Sequence, residues 1–516
     1  MALALYTVAA VWATWPGVRH VDGGHYLARP AAGYGEAAAG DHLQLGWSFW
    51  LVGHQLEHVR SPFADPYSFR PEASAHPNLQ GWLYGLPFWP LSRAFGNVWA
   101  YNLVLLLSFL LAGGMTAWWL RSLDVGRPAA LVGGLVFALA PYRLGQSTGH
   151  LLGLVAFLLP ALLLALERRR LLLAALILCA IPLSGQPHLA LGAIPLAAAY
   201  AWARLPPKLW TRVVLGCLAA VAAGLFVAAV VVHGSIGATR TFHQVIYYSA
   251  TLGDFVRRHP DEGTERFVFF GWLVPLLALA GLVWSRERIG LRLFLGLAAL
   301  VPALLALGAN LPGYHLLWRL VPGLGSTRVP ERLLPITCLA VSALVALAVD
   351  RASEQVLLQR RKLLAACALA FVVGVIAVDL RTPLFGAVEA DTPNAAYAAM
   401  HGPGGLLELP VFRPDIHYGS TYLAYARQSP RIRPQGYSTL APLLALRFAQ
   451  AKRGLSCGFD EGVPEAVDWV AIHRGLYAQS RWFGADCPER AEAMLRRLGW
   501  HEIARDGQIT VFGRPS

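Results

Sequence analysis

Asp41 and its polar neighbours are the first residues in this sequence that could do acid–base chemistry. The stretch Gly40-Asp41-His42-Leu-Gln44 opens an apolar run rich in tryptophan. A carboxylate can take the proton of a hydroxyl, which is general base catalysis. Glycine and aspartate just before a helical run are also a common helix start. Asp41 is therefore either a general base or a helix cap.

A second polar cluster, Tyr142, Arg143, Gln146 and His150, lies between two apolar runs. An ionisable group facing lipid costs about a few kcal/mol, so such groups normally line a cavity or pair with one another. Another polar turn precedes His188 and carries the same residue types. The alternative is that Tyr142 and Arg143 anchor the chain at the membrane surface.

A third cluster, Arg328-Val-Pro-Glu331-Arg332, stands immediately before an apolar run. The planar guanidinium group matches phosphate oxygens and stays charged at any depth. We therefore predict that Arg143, Arg328 and Arg332 lie on one face of the membrane and bind a phosphate. The alternative is an Arg–Glu pair that closes a helix start.

The composition indicates a polytopic membrane protein, whose helices would hold these residues in place. The chain has 516 residues, of which 56% are hydrophobic and only 14% charged. A transmembrane helix needs roughly 20 apolar residues. We predict about eleven spans, near 2–18, 97–120, 127–141, 151–167, 171–184, 188–203, 213–233, 267–284, 291–309, 333–350 and 363–380. Proline and glycine interrupt 171–203, which is therefore two spans, one kinked helix or a re-entrant pair.

The net charge of +13 comes from short basic clusters between the apolar runs. This distribution is typical of cytoplasmic loops rather than of nucleic-acid binding. The clusters are Arg121/Arg127, 168–170, Arg204/Lys208/Arg212, Arg286/Arg288/Arg292 and Arg351/Arg360/Arg361/Lys362. The pattern predicts a cytoplasmic N-terminus. It places the 19–96 loop and the tail 381–516 outside the cytoplasm. The first segment lacks a basic start and a small-residue cleavage pattern, which favours an uncleaved span over a cleaved signal peptide.

The 19–96 loop is unusually long and carries two amphipathic pieces, 41–58 and 81–95. If 41–58 is a helix, Asp41, Gln44, Ser48 and Gln55 share an arc of about 60°. Asp41 then heads a polar seam at the membrane surface.

The tail has a different sequence character, and it predicts a small α/β domain. Residues 404–412 and 467–473 are typical of strands, 488–498 of an amphipathic helix, and 502–512 of a hairpin turning at Asp506-Gly507. Cys457 and Cys487 could form a disulfide in an oxidising compartment, or remain two free thiols. The predicted division is 1–380, a transmembrane domain, and 381–516, an extracytoplasmic domain.

Short motifs add a family resemblance. Residues 141–151, 328–332, 407–410 and 435–438, together with the acid in the first external loop, resemble the GT-C class of membrane glycosyltransferases, in particular a bacterial branch that includes YfhO-type proteins. The fold implied is an all-α polytopic membrane domain with a C-terminal α/β domain.

The resemblance also implies a reaction and a site. A sugar would pass from a polyprenyl-phosphate donor to an extracytoplasmic glycan, lipid or protein in the bacterial inner membrane. Asp41 would be the base of an inverting displacement, and Arg143, Arg328 and Arg332 would bind the donor phosphate. The pocket would include His42, Gln44, Tyr142, Gln146, His150, His188 and Glu331. Since His42 stands where many GT-C enzymes have a second acid, a divalent metal cofactor stays open.

Several alternatives remain at this point. A flippase or secondary transporter for lipid-linked sugars would also need many spans and buried arginines. A non-catalytic scaffold would bind its partner through the tail. A metal could be held by residues drawn from His42, His54, His58, His76, Asp41 and Asp65. Polar and aromatic residues of the tail either stack on an acceptor sugar or are ordinary folding residues of the domain, namely Asp415, His417, Tyr418, Tyr422, Tyr425 and Tyr437.

Overall fold

The computed structural model describes residues 2–260, 265–285, 287–358 and 362–515. Three arginines of the predicted basic loops, Arg286, Arg360 and Arg361, lie outside the described residues.

The α-helices of the described ranges are numbered along the chain: α1 (Ala2–Thr14), α2 (Asp41–Glu57), α3 (Trp82–Phe95), α4 (Asn97–Ser122), α5 (Arg127–Leu139), α6 (Pro141–Ser147), α7 (Leu151–Val155), α8 (Leu158–Glu167), α9 (Leu171–Leu183), α10 (Pro187–Arg204), α11 (Trp210–Val227), α12 (Phe242–Tyr248), α13 (Leu273–Trp284), α14 (Ile289–Ala306), α15 (Tyr314–Leu320), α16 (Leu334–Leu358), α17 (Lys362–Asp379), α18 (Ala395–Ala398), α19 (Ser420–Ala426), α20 (Leu443–Ala451), α21 (Arg474–Ser480) and α22 (Cys487–Arg497). The strands are β1 (His25–Ala28), β2 (Ala64–Asp65), β3 (His76–Pro77), β4 (Gly386–Glu389), β5 (Gly405–Leu409), β6 (Val467–His473), β7 (His501–Asp506) and β8 (Ile509–Gly513).

The chain divides into two compact units, and the division does not follow the sequence. The helical unit comprises Met1–Trp15, Leu105–Val227 and Arg240–Leu384. The loop–tail unit comprises Pro16–Val104, Ala228–Thr239 and Phe385–Ser516. The first loop groups with the tail rather than with the long apolar helices. The division into a transmembrane domain, 1–380, and an extracytoplasmic domain, 381–516, stays a prediction.

The predicted count of eleven spans is not confirmed. Each predicted apolar run contains a helix, yet among the described residues only four helices are long and apolar enough to cross a membrane: Asn97–Ser122, Pro207–Val232, Ile289–Ala306 and Pro330–Glu354. A fifth span is obtained if the pair α5 and α6, bent by 47°, is counted as one. Hydropathy located the helices correctly, but it does not fix their length.

The interrupted region 171–203 shows how helices are cut short. It forms two helices, α9 and α10, separated by three residues. Gly185 has a φ of +73°, which favours glycine, and Pro187 begins α10. Gly185 therefore helps to end α9, and Pro187 starts α10.

In the helical unit, the last residue of α17 caps the start of α13. The carboxylate of Asp379 accepts hydrogen bonds from the backbone N–H groups of Trp272, Leu273 and Val274, at 2.9, 3.0 and 3.1 Å. The first N–H groups of a helix have no partner within the helix and carry a partial positive charge. One carboxylate from a distant helix satisfies them.

In the loop–tail unit, the first loop and the tail share a sheet. Strand β1 pairs antiparallel with β4, with Tyr26 opposite Val388. The tail itself holds a four-stranded sheet of order β5-β6-β8-β7, in which only β5 and β6 are parallel. The strands, the helix and the hairpin lie where the sequence predicts them, and Gly507 takes a φ of +54° at the turn.

A disulfide joins Cys457 to Cys487 at the start of α22. The core beneath it is formed by residues of the sheet and of that helix, including Leu407, Val470, Ile472, Leu495 and Phe512. The bond closes a loop between residues 30 positions apart. It therefore fixes one side of this core.

Candidate functional site

Asp41 is the first residue of α2, and the residue in the N-cap position is Gly40. The Asp41 carboxylate is held by a side chain of the tail: the hydroxyl of Tyr437 donates a hydrogen bond to Asp41 Oδ1 at 2.5 Å. A negative charge in the first turn is also favoured by the helix dipole. Asp41 is therefore oriented by a specific partner and is not an N-cap.

Asp41 lies beside buried residues and is itself partly exposed. Gln44 Nε2 donates to the backbone carbonyl of Tyr437 at 3.1 Å. The Tyr437 ring is 8% exposed and belongs to an apolar cluster with Trp47, Leu51, Leu423 and Ala426. Asp41 is half-buried, and the exposed His417 lies within electrostatic reach of it. Part of Asp41 therefore remains accessible to solvent.

His42 turns into the interior. Its side chain is 2% exposed, and its ring centroid lies 5.3 Å from that of Tyr26 and 6.5 Å from that of Tyr101. Burial lowers the pKa of His42 to about 3, against the charge of Asp41 and with the help of Arg427. The imidazole is therefore neutral at physiological pH.

The helical unit contains a cluster of three arginines, which we call the basic cluster: Arg240, Arg328 and Arg332. Burial lowers the pKa of Arg240 to about 10, and the positive charges of Arg328 and Arg332 add to this shift. His188 lies within electrostatic reach of all three. Arg328 stands over the ring of Tyr248, with 5.4 Å from Cζ to the centroid. Three like charges held close together favour an anion.

Two carboxylates accompany the basic cluster. Glu265 Oε1 lies 3.5 Å from Arg332 Nη2 and 3.9 Å from His150 Nε2. Glu331 is fully buried and accepts a hydrogen bond from the backbone N–H of Arg266 at 3.2 Å. His150 Nδ1 in turn lies 2.8 Å from Gln146 Oε1. The polar residues predicted from three separate motifs thus form one connected region.

Several buried polar atoms of this region have no hydrogen-bond partner within the described part of the chain. They are Tyr142 Oη, Gln146 Nε2, His188 Nδ1, Glu331 Oε2 and Arg332 Nε. A buried polar group left without a partner costs about 1–3 kcal/mol. A polar ligand or ordered water at these atoms would recover that free energy. The region is therefore suited to binding a molecule rich in oxygen atoms.

Arg143 has contacts of another kind. It is fully buried, donates to the carbonyl oxygens of Ala138 (2.5 and 3.2 Å) and Gly153 (3.2 Å), and stands 4.6 Å over the ring of Phe109. The carbonyls at the end of α5 lack helical partners. Arg143 therefore supports the bend between α5 and α6, a role that the spacing of its motif did not reveal.

The histidines of the first loop do not assemble around a metal. His54 Nε2 lies 2.8 Å from Tyr67 Oη, and Asp65 accepts hydrogen bonds from Trp47, Ser68 and the backbone. In the described ranges, no three His, Cys, Asp or Glu side chains are grouped so that they could hold a metal ion.

No motif in the sequence pointed to Arg240, and the pattern left the role of two tyrosines of the tail open. Arg240 stands alone in a loop without a motif, so no spacing pointed to it. Tyr422 and Tyr425, which could either stack on a sugar or fold the domain, are each 1% exposed. They belong to the core, whereas Trp482, an aromatic residue that was not predicted, is 47% exposed.

No known protein family matches the sequence, and no curated protein does. Among solved structures, the arabinofuranosyltransferase AftD from Mycobacteria aligns over 100% of this chain and 39% of its own, with a TM-score of 0.61 and 15% identity. The two chains therefore share a fold. The class predicted from short motifs is thus confirmed at the level of the fold, and the chain spans well under half of AftD.

Two more distant structures have TM-scores just below one half. ArnT from Cupriavidus metallidurans bound to undecaprenyl phosphate aligns over 100% of this chain and 97% of its own, with a TM-score of 0.49 and 13% identity. The apo oligosaccharyltransferase of Archaeoglobus fulgidus aligns over 95% of this chain and 72% of its own, with a TM-score of 0.49 and 12% identity.

Proposed function

We propose that this chain is a membrane glycosyltransferase that moves a sugar from a polyprenyl-phosphate donor to an extracytoplasmic acceptor. The basic cluster is the observation that supports the proposal most directly. Within a GT-C fold, three arginines gather beside buried polar atoms that lack protein partners.

Arg240, Arg328 and Arg332 would bind the phosphate of the donor. Guanidinium groups suit phosphate because they donate several hydrogen bonds from a rigid plane. As the sugar leaves, negative charge builds up on the phosphate oxygens, and positive groups already in place stabilise it. Arg143 would contribute indirectly by supporting the polypeptide near Tyr142 and Gln146.

Asp41 would be the general base. The acceptor oxygen forms a bond to the anomeric carbon while the bond from that carbon to the phosphate oxygen breaks. The acceptor proton moves to the Asp41 carboxylate, and the polyprenyl phosphate leaves with the bonding electrons. A single displacement of this kind inverts the anomeric configuration.

The topology proposed with this reaction has a cytoplasmic N-terminus and an extracytoplasmic tail, in a bacterial inner membrane. The disulfide between Cys457 and Cys487 supports that orientation of the tail, since disulfides persist in oxidising compartments such as the periplasm.

The test is a transfer assay with purified full-length protein and a panel of polyprenyl-phosphate sugars. Envelope glycans, lipids and peptides serve as acceptors, with and without a divalent metal chelator. Inverted product from at least one donor would support the proposal. Movement of the lipid-linked sugar across proteoliposomes without any transfer would overturn it in favour of a transporter.

A further inference from the structure

The backbone segment 36–40 leads directly into Asp41, and residues of the tail bind its first residue. Glu36 is fully buried. Its Oε2 accepts from His473 Nδ1 at 2.8 Å, and its Oε1 accepts from the backbone N–H of Gly475 at 2.7 Å. Burial raises the pKa of Glu36, and the facing His473 opposes that shift. A buried carboxylate with these two partners is a fixed anchor.

The rest of segment 36–40 is held in the same way. The N–H of Ala37 donates to Tyr425 Oη at 3.0 Å, and its carbonyl accepts from Thr421 Oγ1 at 3.1 Å. The N–H of Gly40 donates to Ser420 Oγ at 2.9 Å. All three partners are buried residues of α19. The tail therefore fixes the chain up to the residue before Asp41.

The anchor continues into the core of the tail. His473 Nε2 lies 2.9 Å from Tyr397 Oη, and Tyr397 Oη donates to Glu408 at 3.3 Å. Glu408 pairs with Arg433, and both side chains are fully buried. Buried charges are tolerated only when they are paired and hydrogen-bonded, so this network has little freedom to rearrange.

We propose that the tail is the positioning element for Asp41, with Tyr437 orienting the carboxylate and the Glu36–His473 pair anchoring the segment that leads to it. This inference rests on the proposed role of Asp41 as the base. It assigns the tail a part in the rate of the reaction rather than in the choice of acceptor alone. Tyr437 and Glu36 are positioning residues, since they act through Asp41.

The first test is Tyr437→Phe, which removes only the hydroxyl and leaves the ring in its apolar cluster. We expect kcat to fall about 10- to 100-fold with little change in KM for the donor. A hydrogen bond donated to a carboxylate favours its charged form. The acidic limb of the kcat/KM profile should therefore move to higher pH in the variant.

The matched control is Tyr477→Phe. Tyr477 is 4% exposed, and its hydroxyl donates to the carbonyl of Ser456 at 2.6 Å within the tail. Its variant loses a comparable buried hydrogen bond and should keep the wild-type pH profile. An unchanged kcat and pH profile in Tyr437→Phe, with an active wild type, would overturn the inference.

The second test does not depend on turnover. Hydrogen–deuterium exchange of the full-length protein reports on the amides of Ala37 and Gly40, and we expect at least 10-fold faster exchange there in Glu36→Gln. The control Glu461→Gln also loses a carboxylate bound to a backbone N–H, that of Gly454 at 2.8 Å, and should leave these amides unchanged.

The two tests separate the failure of the inference from the failure of the proposed function. If the wild type transfers no sugar, the function fails, but faster exchange in Glu36→Gln still supports anchoring by the tail. If exchange at 36–40 is the same in Glu36→Gln and wild type, the anchoring is wrong, whatever the enzyme does.

Discussion

The Asp41 site and the basic cluster differ in how their polar groups are satisfied. In the loop–tail unit, Asp41 and Gln44 both bond to Tyr437, and the segment before Asp41 is bound at successive residues. In the helical unit, three arginines lie together and several buried polar atoms lack partners in the described chain. The first arrangement is pre-organised by contacts within the protein, whereas the second leaves polar atoms that a ligand or ordered water would satisfy.

The largest expected effect is a loss of activity at the Asp41 site. Asp41→Asn keeps an oxygen that can accept from Tyr437 but is a poor base, so kcat/KM should fall about 10²- to 10⁴-fold. Transfer assays on folded protein measure this. Asp22→Asn, an exposed acid of the same loop, is the control and should match wild type. Equal activity of Asp41→Asn and wild type would show that Asp41 is not the base.

At the basic cluster, we expect weaker binding of the donor. Arg328→Ala should raise the Kd and KM for the donor about 10- to 100-fold, because a hydrogen bond to a charged group contributes about 1.5–3 kcal/mol. Direct binding of a polyprenyl phosphate to the purified protein measures it. Arg319→Ala, an exposed arginine in α15, is the control. If both variants bind equally well, the basic cluster does not hold the phosphate.

Removing the disulfide would show whether the two sites can be disturbed separately. Cys457→Ser with Cys487→Ser should destabilise the tail by about 3–4 kcal/mol, from the entropy of closing a loop of this length. Thermal unfolding, monitored by hydrogen–deuterium exchange of the amides in β6 and α22, measures this loss of stability. Polyprenyl-phosphate binding at a temperature where the tail stays folded should be unaffected. Weaker binding under that condition would show that the two regions are not independent.

The last expected effect is a pH dependence of stability, which leaves the transfer reaction out of account. The pKa of His42 is about 3 in the folded protein against an ordinary 6.5, so the unfolded state takes up the proton first as pH falls. The stability that the protein gains from burying a neutral His42 is fully present above pH 6.5 and is lost progressively between pH 6.5 and pH 3. Denaturation across that range should show a steeper loss in wild type than in His42→Gln. Parallel curves would contradict the burial of a neutral His42.

The sequence predicted those elements whose signal is local. Helix α2 was expected at 41–58 and spans Asp41–Glu57. It could be predicted because its apolar periodicity and its start depend on residues that are close together in the sequence. The hairpin of β7 and β8 was found from an Asp-Gly turn between alternating residues. The number of membrane spans was not found, since breaks such as the one at Gly185 decide where each helix ends.

The site was predicted in part for the same reason. Arg328 and Arg332 stand in one motif, whereas Arg240 joins them only through folding. The partner of Asp41 is 396 positions away along the chain, and no local pattern could connect the two. Arg143 was recognised as unusual, but its bonds to Ala138 and Gly153 depend on how α5, α6 and α7 meet.

The pairing of β1 with β4 sets an order of events during biosynthesis. Strand β1 precedes helices α4 to α17 along the chain, and its partner β4 follows them. At about 5–20 residues per second, the first loop waits on the order of tens of seconds for that partner. Throughout this time Glu36 has no His473 and Asp41 no Tyr437. The Asp41 carboxylate therefore gains its Tyr437 partner long after Asp41 itself has been made.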